Sequence, residues 1–169
     1  LGKPILFGGI HATLVPDLMM KNECVDFLIR GEGEVAILEL IDALENRLAW
    51  EDVRNLCYRR GNSIIKNELG DPIQNLDDLP FLDKELFEND IRHRDDYIIL
   101  TSRGCPFECS YCCESWMNKL YKNGYYRKRG VDSVLAELKE AKTRYGIKRV
   151  MFFDQIFFHD LCFCDLWLF

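Results

Sequence analysis

Residues 97–113 read "YIILTSRGCPFECSYCC". An apolar run of strand length, Tyr97 to Leu100, gives way to a loop that gathers four of the chain's eight cysteines within nine positions. Three uses compete for such thiols: a metal site, a redox pair, or small apolar core residues. Cys105, Cys109 and Cys112 are spaced C-x3-C-x2-C, which lets one loop wrap three thiolates around one corner of a metal cluster. A structural zinc site wants four ligands, usually from two separated C-x2-C knuckles, and no second knuckle follows. Cys113 adjoins Cys112, and neighbouring side chains on extended backbone point apart. Three thiolates on a four-iron cluster leave one iron without a protein ligand. Clusters used only for electron transfer normally take four cysteines, so the spacing suggests a small molecule in the last position. Cys24, Cys57, Cys162 and Cys164 read instead as buried small hydrophobes.

Outward from this loop the chain keeps an α/β grammar. Downstream, residues 132–145 predict a helix with Val134, Leu135, Leu138 and Ala141 as its buried stripe, Asp132 as N-cap and Gly146 as stop. "RVMFFD" then predicts a second strand ending in a carboxylate, and strand, loop, helix, strand suits a parallel barrel or a doubly wound sheet. Upstream, residues 70–96 are polar and proline-punctuated without a sustained period, which reads as an interdomain linker. Before it, the run Pro4–Phe7 predicts a buried parallel strand that breaks on Gly8 and Gly9. "VDFLIRGEGE" repeats that plan, and from Glu34 the positions Ile37, Leu38, Ile41 and Leu44 keep helical spacing. "NLCYRR" and "SIIKN" flank Gly61-Asn62 as a tight hairpin. The expected division is an α/β unit with a hairpin over 1–69, a linker over 70–96 and a second unit over 97–169.

At 169 residues, 48% hydrophobic and 30% charged, the chain can bury a core. A net charge of −6 argues against nucleic acid or an anionic membrane as the main partner. A local basic patch exists: Lys119 to Arg149 holds ten Lys/Arg against three Asp/Glu, its helical members reading as a solvated face. No apolar run approaches the roughly 18 residues a membrane span needs, and no charged-then-apolar leader opens the chain, so the expectation is a soluble, cytoplasmic protein with reduced thiols. Leu1 at the start and the apolar "LWLF" at the end read as cut ends of something longer.

"RGCPFECSYC" resembles the signature of the radical S-adenosyl-L-methionine (SAM) superfamily, CxxxCxxC with an aromatic residue, here Tyr111, before the last cysteine. The resemblance implies a 4Fe-4S cluster on Cys105, Cys109 and Cys112, with the SAM amino and carboxylate groups chelating the free iron. It further implies an electron donor such as flavodoxin or ferredoxin, reductive cleavage of SAM, and a 5′-deoxyadenosyl radical that takes hydrogen from a small-molecule substrate. Other residues follow from the same likeness. Tyr111 would lie by the adenine, the alternative being loop filler against the sheet. Asp154, in "MFFDQIF", would meet the SAM amino group, although Gln155 stands where relatives often carry a second acid; the alternative is a cap on the next helix. Arg127 and Arg129 resemble an Arg-x-Arg that would neutralise the SAM carboxylate or the cluster, the alternative being a solvent-facing turn.

"GGIHATLVP", "VDFLIRGEGE" and "LDDLPF" resemble the subfamily in which a cobalamin-binding domain precedes the barrel. Gly8 and Gly9 would then let backbone approach cobalamin closely. His11 reads as a hydrogen-bonded structural residue, with a cobalt-ligand role as the alternative. The expected fold is α/β: the C-terminal part of a Rossmann-like cobalamin-binding domain followed by the first strands of a radical SAM (β/α) partial TIM barrel. The expected function is that of a radical SAM enzyme, a cobalamin-dependent methyltransferase or a ring-rearranging enzyme. Its rivals are a radical SAM protein without cobalamin and a non-catalytic iron–sulfur or zinc module. Two barrel strands would hold a cluster without shielding a radical from water, so turnover is expected of a longer protein.

Overall fold

The computed structural model describes residues 2–85, 96–122 and 125–157. The chain divides into two compact units between Ile73 and Gln74.

In the first unit, β1 (Leu6–Phe7), β2 (Phe27–Ile29), β3 (Leu56–Arg60) and β4 (Ser63–Lys66) form one sheet in sequence order. β1 lies parallel to β2, and the other two pairings are antiparallel. Helices α1 (Ile10–Leu14), α2 (Pro16–Met20) and α3 (Glu34–Asn46) complete it. Successive strand residues point to opposite faces, so the sheet carries two cores. Leu28 and Cys57 pack with Ala12, Met20 and Val25, while Ile29, Leu56 and Tyr58 pack with Ala36 and Leu40. Arg60 pairs with Ser63 across Gly61-Asn62, and Gly61 takes φ +59°, which this two-residue turn requires.

Several expectations change here. β1 is a two-residue strand with Ile5 and Phe7 largely exposed, so it is not the buried strand its apolar run suggests. In α3 the buried positions are Ala36, Leu40 and Ala43, whereas Ile37, Leu38, Ile41 and Leu44 are exposed, Leu38 to 68%. The spacing identifies the helix correctly, while its inner face is the one that carries Ala36, Leu40 and Ala43. Cys57 is buried as expected, and burial pushes its thiol pKa up. Cys24 is exposed, and Cys162 and Cys164 lie outside the described residues.

The second unit contains β5 (Asp96–Ile99), β6 (Ser102–Arg103), α4 (Cys113–Leu120), β7 (Arg127–Lys128), α5 (Val131–Tyr145) and β8 (Arg149–Phe152). β5 and β8 pair in parallel from Asp96↔Arg149 to Ile99↔Phe152, with α5 in the crossover. β6 and β7 pair antiparallel. Tyr97 and Ile99 pack on Val134 and Ala141 of α5. That helix ends at Gly146 in the left-handed region, φ +65°. Its N-cap is Gly130, and Asp132 is an exposed acid of the first turn. A carboxylate from afar holds the N-cap residue in place: Asp77, in the 3-10 turn Leu76–Asp78, accepts from Gly130 N at 2.8 Å.

The buried stripe of α5 also contains Glu137, which is only 4% exposed. It accepts from the Tyr97 hydroxyl at 2.8 Å and pairs with Arg129. Lys84 Nζ lies 3.7 Å from Glu137 Oε1 and 3.5 Å from the centroid of the Tyr97 ring. Asp77 and Lys84, both in the proline-punctuated 70–96 segment, are thus tied to the second unit.

Candidate cluster and cofactor site

The cysteine loop leaves the carboxyl end of β5 and is fastened at both ends. At its entry, Gly104 takes φ +81°, and a Cβ placed there would come within 2.6 Å of Tyr125 O and 2.7 Å of the Tyr125 ring. Only glycine fits, in conformation and in space. Tyr125 is held in turn: its ring stacks on Tyr121 at 5.2 Å, and its carbonyl accepts from Arg127 Nε at 3.0 Å. Arg127 pairs with Arg103 across the β6–β7 ribbon and is buried, with its guanidinium 5.3 Å from the Tyr125 centroid. Arg127 therefore does not sit in a solvent-facing turn.

At the exit, Cys112 is the N-cap of α4, and its N–H donates to Cys109 O at 3.1 Å. Ser115 Oγ donates to Cys112 O at 2.7 Å, and Asn118 Nδ2 donates to Cys105 O at 2.8 Å and to Phe107 O at 3.4 Å. Cys105 and Cys112 are half-buried, while Cys109 and Cys113 are exposed. Tyr111 is 91% exposed, so it fills no space against the sheet. Glu114 is buried in α4 with Oε2 unpartnered among the described residues, and burial pushes its carboxyl pKa up.

Asp154 follows β8, beside the end of β5. Its Oδ1 accepts from Thr101 N at 2.8 Å, Thr101 Oγ1 at 3.1 Å and Ser102 Oγ at 2.5 Å, which ties the ends of the two parallel strands together. Its Oδ2 is buried without a hydrogen-bond partner among the described residues. An unmet buried carboxylate oxygen at the carboxyl ends of parallel strands is a place where a ligand's N–H would be held. Arg129 is committed elsewhere: its guanidinium is matched by Glu137 and Ser133, and its N–H donates to Thr101 O at 2.8 Å.

In the first unit, Gly9 caps α1 with φ +90° and nothing within 4 Å of where a Cβ would stand. Gly8 precedes it beside the Ile29 carbonyl. Thr13 links the two glycine turns, its hydroxyl donating to Gly9 O at 2.8 Å and accepting from Gly31 N at 2.8 Å. His11 is exposed. Thr13, Glu114, Ser115 and Asn118 all escape sequence reasoning, since polar residues on short helices carry no sign of burial until their long-range partners are known.

Among the described residues, no three or more His, Cys, Asp or Glu side chains gather as ligands of a single metal ion. A four-iron cluster takes each thiolate at a different iron, which sets its donors further apart than those of one ion. Three soft donors on one braced loop, with an unmet carboxylate oxygen at the neighbouring strand end, therefore fit a cluster with a small-molecule ligand better than a closed zinc site.

Residues 99–159 match the Radical SAM superfamily. The chain is 35% identical over 158 residues to an uncharacterized methyltransferase of Pyrococcus horikoshii, covering 90% of this chain and 33% of that protein. It is also 35% identical over 115 residues to an anaerobic magnesium-protoporphyrin IX monomethyl ester cyclase of Synechocystis sp., covering 64% of this chain and 22% of the cyclase. Among solved structures it is similar to the cobalamin-dependent SAM radical enzyme OxsB with aqua-cobalamin bound, at TM-score 0.72 and 20% identity over 90% of this chain and 21% of that one. A second is the radical SAM methyltransferase TsrM of Kitasatospora setae with cobalamin and a [4Fe-4S] cluster bound, at TM-score 0.68 and 17% identity over 91% and 31%. The fold thus matches part of each of these two structures, in keeping with the expected α/β class. The chain spans about a third of the length of the Pyrococcus relative it matches.

Proposed function

We propose that the chain supplies the cluster-binding and SAM-binding start of a cobalamin-dependent radical SAM enzyme that transfers a methyl group to a small molecule. The observation that carries this reading is the three-thiol loop, braced at Gly104 and at α4, at the end of a strand whose neighbour offers the unmet oxygen of Asp154. Cys105, Cys109 and Cys112 hold the 4Fe-4S cluster. When bound, cluster and SAM together supply one-electron cleavage of the sulfonium bond. Asp154 Oδ2 accepts from the SAM amino group, a role that its three contacts on Oδ1 preorganise. Tyr111 offers an exposed ring on which adenine stacks. Arg127 supplies positive charge behind the loop, and Arg129 holds the end of β5 through Thr101 O.

The first unit, with a boundary near residues 69–73, serves cobalamin, whose close approach the bare backbone at Gly8 and Gly9 admits. The electron comes from a donor such as flavodoxin or ferredoxin, and the setting is the reducing cytoplasm. No helix among the described residues is long and apolar enough to cross a membrane. Similarity to the Synechocystis cyclase favours ring formation as the second reading of the reaction. Anaerobic reconstitution with iron and sulfide tests the proposal. After reduction with dithionite, a paramagnetic cluster whose spectrum changes on adding SAM, with 5′-deoxyadenosine released by the full-length protein, is expected. A reconstituted protein with no SAM-responsive cluster sinks it, and failure of the full-length protein to retain cobalamin sinks the cobalamin part alone.

A further inference from the structure

We propose that Asn118 and Ser115 are positioning residues for the cluster loop, acting through the backbone of the cysteines they hold; this rests on the reading of the site given above. Both side chains are buried on α4. Asn118 reaches back thirteen residues to Cys105 O and on to Phe107 O, while Ser115 takes Cys112 O. The first and last thiol-bearing residues are therefore pinned to one helix, and the bond from Cys112 N to Cys109 O joins the middle one to the same frame.

The serine bond is a local three-residue contact common in the first turn of helices. The asparagine bond is not local, because it closes the whole loop from a buried side chain, and a buried amide left without its acceptor is costly. A loop so closed presents its thiols in a fixed arrangement before any iron arrives. Partners that orient ligands typically change metal affinity or activity by about tenfold or more when removed.

Asn118→Leu keeps the shape and removes the donors; Ser115→Ala removes the hydroxyl and Ser115→Thr restores it. Each variant and the wild type are reconstituted anaerobically with iron and sulfide. Cluster retention against a chelator, midpoint potential and the spectral change on adding SAM are then read, with thermal unfolding of the metal-free protein as control. Asn118→Leu is expected to lose its cluster to chelator about tenfold faster and to show a weakened SAM response, beyond any shift in unfolding. Ser115→Ala should show the same in smaller degree and Ser115→Thr should match wild type. Wild-type retention, potential and SAM response in Asn118→Leu would overturn the inference. If that variant does not fold, the serine pair decides, and Ser115→Ala indistinguishable from Ser115→Thr overturns it. A wild type without a SAM-responsive cluster sinks the reading of the site as well, whereas the variants alone sink only the clamp.

Discussion

The glycine-led loops that follow β1 and β5 are built in opposite ways. The turn after β1 is open: nothing stands within 4 Å of a Cβ on Gly9, and its main anchor is the Thr13 hydroxyl. The loop after β5 is closed on every side, by Tyr125 against Gly104, by Asn118 on Cys105 and by Ser115 on Cys112. A loop that admits a ligand to its backbone needs emptiness, whereas one that delivers several side chains to one point needs bracing. The sharpest way to break the contrast is to remove what the braced loop delivers. Replacing Cys105, Cys109 or Cys112 singly with serine should abolish the SAM-responsive cluster and 5′-deoxyadenosine release, read by iron content and product assay. The same change at Cys113 should leave both near wild type.

The same glycine-to-alanine change in each loop tests the difference directly. Both positions have positive φ, and such strain costs on the order of 1–3 kcal/mol for a residue with a Cβ. At Gly9 that is the whole effect, since the space is open. At Gly104 the new methyl also meets backbone at 2.6 Å, which cannot swing aside as a side-chain end can. Gly104→Ala should therefore destabilise its unit by about 3 kcal/mol or more and Gly9→Ala by about 2, measured by denaturant unfolding. Equal losses would mean that Tyr125 yields and the loop is less firmly held than its contacts suggest.

A third comparison sets buried charge against exposed charge. Glu137→Gln removes the carboxylate that Arg129 and Lys84 share and should cost about 3 kcal/mol, because it strands two cations in a largely buried place. Asp17→Asn, which breaks the exposed pair with Lys66, should cost well under about 1 kcal/mol.

What was legible in the sequence was local. The C-x3-C-x2-C spacing, the Gly61-Asn62 turn and the Gly146 stop each show in a few consecutive residues, and the structure has the turn and the stop where those residues put them. The spacing names the thiols without showing what braces them. What was illegible depends on partners far along the chain. The N-cap of α5 is Gly130, held by Asp77 from 53 residues away, so Asp132 is not the cap that its position predicts. Glu137 sits inside because Tyr97, 40 residues earlier, donates to it. In α3 the apolar period gave the helix while the alanines, not the leucine-rich stripe, turned inward. The clamp by Asn118 spans thirteen residues and leaves no periodic trace.

A smaller effect than that of Glu137→Gln probes the same buried network by pH. Tyr97 ordinarily titrates near 10.0, and burial first, then its bond to Glu137 and the charge of that residue, hold it neutral well above that value in the folded state. The groups facing it are Glu137, Tyr145, Glu140 and Lys84, with Arg129 behind Glu137. Its contribution is fully present below the unfolded pKa, near 10, and is lost as pH rises from there towards the raised folded value, because only the unfolded chain gives up the proton. Lys84 runs the other way: burial lowers its pKa while Glu137 pulls it back up, so its contribution grows with pH between that lowered value and the ordinary 10.5. The difference between wild type and Tyr97→Phe isolates the tyrosine. The variant should lose about 1 kcal/mol near neutrality, from the missing hydrogen bond, and the gap should close as pH climbs past about 10. Denaturant midpoints from about pH 8 to about pH 11 check this, and a gap that stays constant would mean that neither burial nor Glu137 holds the tyrosine neutral.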